Sequence, residues 1–327
     1  MNKLVRIGVI STASIAERLV IPAINAMKSN FVLAGIASRS NSKAEIFADK
    51  FRTKGYNSYD DLLSEDEIEA VYIPLPNSLH LEYVEKALNN NKNVLVEKSL
   101  GCSYEEVEFL TSIARSRGLV IVENFQFRFH PQINVIKEIL LSGKIGEMRS
   151  LRASFGFPPF SDINNIRYNE LLGGGALLDA GAYTTKISQI LLGTNLKVKA
   201  SNLNFQTNYS VDIWGGAYLQ DEKSGIFSEL AFGFDNFYQC GIEIWGSKGR
   251  LTTNRLFTAP SEFIPEIMVE TSSGNEIIKA PSGNHFENML LHFYNLIKTK
   301  DNLEIEHIQN LDQARLLNEI KDNAYVK

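Results

Sequence analysis

The chain has few of the residues that build disulfide frameworks or metal sites. It contains 327 residues but only two cysteines, Cys102 and Cys240, which excludes a small fold held by several disulfide bonds. Its five histidines form no H-E-x-x-H motif, and no C-x-x-C pair accompanies them. We therefore expect no bound metal and a reducing compartment.

An excess of one charge and long apolar runs are also absent. The chain has 33 lysines and arginines against 38 aspartates and glutamates, so no overall attraction to nucleic acid or to an anionic membrane is predicted. No apolar run approaches the roughly 20 residues of a membrane span. Residues 7–16 contain Ser11, Thr12 and Ser14 and fit a strand and turn better than a secretory signal. We predict a cytoplasmic protein whose partner is a small molecule.

Short apolar strands alternate with amphipathic helices through the first 123 residues. This alternation is typical of a Rossmann-type, doubly wound parallel sheet, which we assign to residues 1–123. One helix is marked by a capping box at Ser103 and Glu106 and by a terminal Gly118. The predicted strands are 4–10, 31–37, 70–74, 93–97 and 119–123.

Residues 124–327 show a different pattern, with several strands and few helices between them. The predicted strands are 149–157, 197–206, 213–219, 226–234, 241–245 and 267–270, with helices at 130–142, 285–299 and 307–325. We predict a C-terminal α+β domain on an open, mostly antiparallel sheet, used for substrate binding and oligomerisation. A sheet with an uncovered face leads us to expect a homodimer or homotetramer.

The end of the first strand lies where a dinucleotide-binding fold turns beneath the pyrophosphate. Ser11 and Ala13 stand where the G-x-G-x-x-G/A fingerprint has glycines, and only Ala16 fits its third position. We expect Ser11, Thr12, Ala13 and Ile15 to border a cofactor, with an ordinary strand-to-helix turn as the alternative.

The end of the second strand indicates which dinucleotide is bound. Ser38 lies 22 residues after Ala16, where an acidic residue would bind the ribose 2′-hydroxyl of NAD. The chain has Ser38 and Arg39 there instead, and a guanidinium suits a 2′-phosphate. NADP(H) is therefore favoured over NAD(H), with a solvated surface arginine as the alternative.

Four further segments occur at ends of predicted elements. They are Pro74-Leu-Pro76-Asn77-Ser-Leu-His80, Glu97-Lys98-Ser99, Glu123-Asn124-Phe-Gln-Phe-Arg128-Phe-His-Pro131 and Gly173-Gly-Gly175-Ala-Leu-Leu-Asp179-Ala-Gly181-Ala-Tyr183. In order and placement they are similar to the P-N-x-x-H, E-K-P, R-F-x-P and G-G-G-x-L-x-D-x-G-x-H/Y motifs of the Gfo/Idh/MocA family. The chain resembles this oxidoreductase family over essentially its whole length, although Ser99 replaces the proline.

The resemblance implies an NAD(P)-dependent oxidoreductase and suggests which residues border its cofactor. For His80, a buried histidine satisfied at a helix start is the alternative. The residues expected along the cofactor are Pro76, Asn77, His80, Glu97, Lys98 and Asn124.

Hydride transfer to a ketone leaves an alkoxide, so the site needs a proton donor and a cation. The resemblance assigns these roles to Tyr183 and Lys98, and lets Lys98 also lower the pKa of the phenol. Asp179 is expected to bind substrate hydroxyls or to orient Lys98. The alternatives are a core aromatic for Tyr183, a solvated lysine for Lys98 and a helix-capping or surface acid for Asp179.

Three arginines are candidates for binding the substrate. Arg128 is expected in the substrate crevice, and Arg167 and Arg255 are candidates for a nucleotide diphosphate, with solvated loop arginines as the alternative. Within the family, the chain most resembles reductases of nucleotide-linked ketosugars. The leading hypothesis is NADPH-dependent reduction of a keto group, at C3, on a nucleotide-diphosphate deoxysugar.

Two other functions remain open at the level of sequence. The first is oxidation of a free sugar, cyclitol or dihydrodiol by the same fold, which needs no nucleotide on the substrate. The second is a non-catalytic NADP-binding regulator, because a fold can persist without its activity.

Overall fold

The computed structural model describes residues 4–326, which divide into two compact units. One unit contains the chain up to Asn124 together with Phe286–Leu311. The other contains Phe125–His285 and the chain from Asp312 onward. Each unit is built around its own sheet.

The first unit contains a six-stranded parallel sheet in the order β3-β2-β1-β4-β5-β6. This order reverses direction beside β1, as in a doubly wound sheet, and it confirms the predicted fold class. The central strands are almost entirely buried, which explains their continuous apolar sequences. The strands are β1 Val5–Ile10, β2 Phe31–Ala37, β3 Gly55–Tyr56, β4 Ala70–Ile73, β5 Asn93–Glu97 and β6 Ile121–Asn124.

Helices join successive strands of this sheet. The predicted capping box begins α5: the Ser103 hydroxyl accepts the N–H of Glu106 at 3.4 Å, and the Glu106 carboxylate accepts the N–H of Cys102 at 2.7 Å. Gly118 ends the helix in the left-handed conformation, as its position predicts. The helices are α1 Ile21–Ala26, α2 Asn41–Phe51, α3 Tyr59–Leu63, α4 His80–Asn89 and α5 Tyr104–Arg117.

The second unit contains a nine-stranded sheet together with α6 Pro131–Leu141 and α7 Ala182–Leu192. The strand order is β14-β13-β12-β11-β7-β10-β9-β8-β15. The pairs β7–β10 and β8–β15 are parallel and the others antiparallel, so the sheet is mixed although mostly antiparallel, as predicted. The strands are β7 Met148–Gly156, β8 Leu196–Phe205, β9 Asp212–Asp221, β10 Phe227–Gly233, β11 Gln239–Gly246, β12 Gly249–Asn254, β13 Glu266–Thr271, β14 Gly274–Lys279 and β15 Ala324–Val326.

The two faces of this sheet differ in character. One face joins the hydrophobic core of the unit, into which α6 and α7 also pack. The opposite face exposes Trp214 and Trp245 and has a row of ion pairs in which Arg152 bonds Glu229 at 2.5 Å and Glu243 at 3.4 Å. This face accounts for the alternation of apolar and polar residues along β7, β9 and β11.

The C-terminal helices, α8 His285–Thr299 and α9 Leu303–Asp322, show where the chain departs from sequence expectation. The helix predicted at 307–325 begins earlier and ends at Asp322, because the following residues pair with β8 as a strand. The segment Phe286–Leu311 belongs to the first unit, although the sequence placed it in the C-terminal domain. There Tyr294 packs edge-on against Phe31 with ring centroids 5.7 Å apart. No helix within residues 4–326 combines the length and apolar composition of a bilayer span.

Candidate active site

The carboxyl edge of the first sheet collects most residues predicted to border a cofactor. Ser11 follows β1, Ser38 follows β2, Glu97 ends β5 and Asn124 ends β6. The strands are parallel, and Glu97 lies directly opposite Asn124 in the register. Open α/β sheets bind ligands outside this edge, so the fold places these residues where a dinucleotide site is expected.

The turn after β1 keeps a conformation that favours glycine although serine occupies it. Ser11 has a φ of 113°, and its N–H donates to the carbonyl oxygen of Ala37 at 2.9 Å. Thr12, Ala13 and Ile15 follow with partly exposed side chains and lead into a π-helix, Ala16–Val20. The backbone therefore turns sharply at the position of the first fingerprint glycine.

The turn after β2 presents a cation and hydroxyl groups. Ser38 is buried and its hydroxyl accepts the N–H of Ser40 at 3.2 Å, whereas Arg39 is exposed. Ser40 is the N-cap of α2, and its side chain makes no cap hydrogen bond. The first turn of α2 contains no acidic residue. This segment is thus suited to a phosphate group.

Glu97 is at the centre of a hydrogen-bonded group at the ends of β5 and β6. Its carboxylate accepts the hydroxyl of Tyr72 at 2.6 Å and the side-chain amide of Asn124 at 2.5 Å. Burial raises the pKa of Glu97, and these two hydrogen bonds oppose that shift. Lys98 follows directly, and the peptide bond between Lys98 and Ser99 is cis.

His80 is fully buried and joins two loops at this edge. Its Nδ1 lies 2.7 Å from the carbonyl oxygen of Ser99, and its Nε2 lies 2.9 Å from that of Leu75. Burial lowers the pKa of His80 to about 4, although the two carbonyl groups favour the protonated ring. Pro76 and Asn77 are partly exposed and begin the short 3₁₀ turn that leads to His80. His80 therefore matches the alternative of a buried histidine satisfied by the backbone.

In the second unit, Tyr183 lies in the first turn of α7 within an aromatic cluster. Its ring is 9% exposed and contacts four phenylalanines. The ring centroids of Phe125 and Phe155 are 5.5 Å and 5.1 Å from that of Tyr183, and both rings are edge-on. Phe127 and Phe257 complete the cluster at 5.7 Å and 5.6 Å. The ring is thus part of the core, and packing fixes its orientation.

Two residues predicted for substrate binding and catalysis form an ion pair. The Arg167 Nε donates to the Asp179 carboxylate at 2.6 Å, and the guanidinium lies 5.0 Å from the ring centroid of Phe160. The Arg167 carbonyl oxygen accepts the N–H of Gly175 at 2.9 Å. The glycine segment therefore holds Arg167 beside Asp179, four residues before Tyr183.

The other two candidate arginines contact aromatic rings. The guanidinium of Arg128 lies 5.0 Å from the ring centroid of Phe129. Arg255 has a φ of 57°, and its guanidinium lies 5.5 Å from the ring centroid of Tyr238. It also donates to the Tyr238 hydroxyl at 3.4 Å. The structure thus pairs Arg167 with Asp179, and Arg255 with Tyr238.

Two buried charged residues that lie close to the segment of Asp179 and Tyr183 were not predicted from the sequence. Asp212, the first residue of β9, accepts the N–H of Leu177 at 2.7 Å. Lys186 is fully buried in α7, with its Nζ 5.3 Å from the ring centroid of Phe125. Lys186 lies three residues after Tyr183, a spacing that places both on one side of the helix and was visible in the sequence.

Comparison with known proteins agrees with this arrangement. Residues 5–125 match the family model described as "Oxidoreductase family, NAD-binding Rossmann fold", and residues 133–252 match the GFO/IDH/MocA C-terminal domain. A dTDP-3,4-didehydro-2,6-dideoxy-alpha-D-glucose 3-reductase from Actinomadura kijaniata is 36% identical over 98% of this chain and 96% of its own. A D-xylose 1-dehydrogenase (NADP(+)) from Haloferax volcanii is 28% identical over 97% of this chain and 96% of its own.

The crystal structure of a similar protein is also known. The crystal structure of a 3-ketoreductase from Actinomadura kijaniata, in complex with NADP and TDP-benzene, is 34% identical and covers 99% of both chains with a TM-score of 0.95. The resemblance noted in the sequence motifs is confirmed. With both domain models matched in order along one chain, the protein belongs to the Gfo/Idh/MocA family of oxidoreductases.

Proposed function

We propose that the protein is an NADPH-dependent reductase of the C3 keto group on a dTDP-linked deoxysugar. One observation carries the proposal: the chain is similar over nearly its full length to 3-reductases of such sugars. The Arg167–Asp179 ion pair supports it, because a guanidinium suited to a diphosphate lies beside a carboxylate suited to a sugar hydroxyl.

The residues at the carboxyl edge of the first sheet fit NADP(H). The conformation of Ser11 keeps the backbone turn that a pyrophosphate needs, and Arg39 with the start of α2 suits a 2′-phosphate. Glu97 and Asn124 hold each other at the same edge. When bound, the reduced nicotinamide supplies the hydride.

The protein's own residues complete the reduction at the carbonyl oxygen. As the carbonyl carbon gains the hydride, its oxygen becomes an alkoxide and needs a proton, which the Tyr183 phenol donates. The Lys98 ammonium stabilises the negative charge on the oxygen and then on the phenolate. Asp179 accepts a hydrogen bond from a sugar hydroxyl, N–H groups of Arg167 and Arg255 bind the diphosphate, and Arg128 lines the substrate crevice.

The surroundings of Tyr183 explain why the phenol needs a cation. Four phenylalanine rings exclude water from it, and a phenolate in such surroundings is costly unless a positive charge is near. Lys98 is assigned this role because, in the family motif, it is the lysine of the E-K-P tripeptide.

The exposed face of the second sheet supports the proposal of a homo-oligomer. Trp214 and Trp245 are 45% and 58% exposed on this face. Arg152 and Arg250 alternate there with glutamates, so two copies can pair opposite charges across a two-fold axis.

Replacing Arg39 tests which dinucleotide the enzyme uses. We expect Arg39→Ala to raise the KM for NADPH about 10- to 100-fold, because charge-assisted hydrogen bonds to the 2′-phosphate are lost, and to leave the KM for NADH nearly unchanged. Steady-state kinetics with both cofactors measures this. Arg52→Ala, an exposed arginine at the other end of α2, is the matched control. Equal effects of Arg39→Ala on both cofactors would contradict the assignment.

Calorimetric titration of the NADPH-loaded protein with dTDP and with UDP tests the nucleotide half of the proposal. We expect micromolar binding of dTDP and, in Arg167→Ala, binding weakened about tenfold or more by loss of charge-assisted bonds to the diphosphate. Arg149→Ala, an exposed arginine of β7, is the matched control. Absence of binding by either nucleotide, with turnover of D-xylose or another free sugar, would favour the alternative dehydrogenase. NADPH binding without turnover of any sugar would favour a regulator.

A further inference from the structure

Asp212 lies against the segment that carries Asp179 and Tyr183, and it takes no direct part in the proposed reaction. It is the first residue of β9, and its side chain is 8% exposed. One carboxylate oxygen accepts the N–H of Leu177 at 2.7 Å. Leu177 begins the π-helix Leu177–Gly181, which continues directly into α7. The carboxylate therefore satisfies an N–H at the start of this helical segment, which has no partner inside the helix.

Gly175, two residues before Leu177, leaves room for the Asp212 carboxylate. Gly175 has a φ of 113°, and a Cβ at this position would collide with the second carboxylate oxygen of Asp212. Its N–H donates to the carbonyl oxygen of Arg167 at 2.9 Å. Asp212 thus fits into space that Gly175 leaves open, while Gly175 is fixed on its other side by the Arg167 turn.

These contacts lead directly to the proposed reacting groups. The N–H of Asp179 donates to the carbonyl oxygen of Gly175 at 3.2 Å, and the Asp179 carboxylate bonds Arg167. Tyr183 follows Asp179 by about one helical turn. A shift of Gly175 or Leu177 would therefore move Asp179 and Tyr183 together.

The charge of Asp212 suits its place at a helix start. A negative charge near the first N–H groups is favourable, because these groups carry the positive end of the helix dipole. Burial raises the pKa of Asp212 to about 6, whereas N–H groups of Leu177 and Ala176 and the charge of Lys321 in α9 oppose that shift. On the capped helical segment, Asp179 is paired with Arg167 of the preceding turn, and the buried Lys186 lies further along in α7.

We propose that Asp212 is a positioning residue, which holds the helix start so that Asp179 and Tyr183 meet the substrate in reactive geometry. Asp212 acts through the backbone of Gly175 and Leu177 and does not itself touch the reacting atoms. The inference rests on the proposed function for the identity of the reaction. The geometry of the capped helix start is independent of that function.

Turnover of three variants tests this role. We expect Asp212→Ala to lower kcat about 10- to 100-fold, because misplaced reacting groups lose rate steeply, while the Kd for NADPH stays within about twofold. Asp212→Asn keeps an acceptor for the Leu177 N–H but lacks the charge, so we expect a loss of only about fivefold. Asp221→Asn, at the opposite end of β9, is the matched control and keeps full turnover.

The pH profile separates positioning from a merely structural role. Because protonation removes the charge of Asp212, kcat of the wild type falls as the pH drops through about 6, and this fall is absent in Asp212→Asn. An unchanged acid limb in Asp212→Asn, together with wild-type kcat in Asp212→Ala, would overturn the inference.

A spectroscopic measurement makes the test independent of turnover. With tyrosine labelled by ¹³C at Cζ, and the Tyr183 resonance assigned by its loss in Tyr183→Phe, we expect that resonance to shift in Asp212→Ala and not in Asp221→Asn. Should Asp212→Ala unfold, Asp212→Asn shows the smaller shift. An unmoved resonance in both Asp212 variants overturns positioning, whereas normal turnover by Tyr183→Phe overturns only the proposed function.

Discussion

Tyr183→Phe is expected to lower kcat about 10²- to 10⁴-fold, the usual contribution of a positioned proton donor, while the Kd for NADPH changes less than about twofold. The substitution removes one hydroxyl and keeps a ring of the same shape. The four phenylalanine contacts of Tyr183 therefore remain, and the loss reports on the proton and not on packing. Stopped-flow or steady-state NADPH oxidation with the ketosugar measures kcat, and fluorescence titration measures cofactor binding.

The matched control for this prediction is Tyr218→Phe. Tyr218 stacks on Phe227 in the second sheet, with ring centroids 5.1 Å apart, and has no proposed role in the reaction. It should retain wild-type turnover. Turnover by Tyr183→Phe within about threefold of the wild type would mean that another group supplies the proton.

Lys98→Met is the second change with a large expected effect. Methionine keeps the length and apolar stem of the side chain but removes the charge, so the developing alkoxide loses its cation. We expect kcat/KM for the ketosugar to fall about 10²- to 10³-fold, in the range of losing one electrostatic stabiliser. Lys98→Arg restores charge with a different shape and should recover part of that loss.

Steady-state kinetics, with the ketosugar varied at saturating NADPH and then NADPH varied at saturating ketosugar, measures the effect of Lys98→Met. Lys86→Met is the matched control, since Lys86 forms exposed ion pairs with Asp60 and Glu82, which contribute little to stability. If Lys98→Met raised only the KM for NADPH and left kcat unchanged, Lys98 would be a cofactor-binding residue without a part in charge stabilisation.

The sequence predicted those elements whose cause is local. The strands at 31–37 and 93–97 agree with β2 and β5 residue for residue, because strands inside a parallel sheet have short, nearly continuous apolar sequences. The start of α5 was readable because Ser103 and Glu106 satisfy the first N–H groups from within the same turn. Gly118 ended that helix for an equally local reason.

Elements that depend on distant partners were not predictable in the same way. β12 and β14 are short and partly polar, and each is a strand because a neighbour pairs with it. The position of Phe286–Leu311 depends on contacts such as that of the Asn310 amide with the carbonyl oxygen of Ile121 at 3.1 Å. These two contacting residues are far apart in the chain, and the sequence of one segment does not indicate which other segment it will contact.

In the candidate site, too, the sequence predicted individual residues but not the contacts between distant ones. The sequence identified Arg167, Asp179 and Tyr183 as separate candidates, but the ion pair between the first two appears only when the glycine segment folds. Asp212 has no motif, and its partner Leu177 lies 35 residues away in the chain. His80 was expected beside the nicotinamide, and its two carbonyl contacts depend on loops that follow different strands.

Transfer of deuterium from 4-deuterated NADPH to the sugar tests the central claim most directly. The substrate is the dTDP-linked 3,4-didehydro-2,6-dideoxyglucose named for the relatives, generated in the reaction vessel, and mass spectrometry with NMR locates the label. We predict one deuterium at C3 of a dTDP-linked product, appearing about 10²- to 10⁴-fold more slowly with Tyr183→Phe. Failure to consume NADPH with this substrate, while a free sugar is oxidised with NADP, would contradict the proposed function.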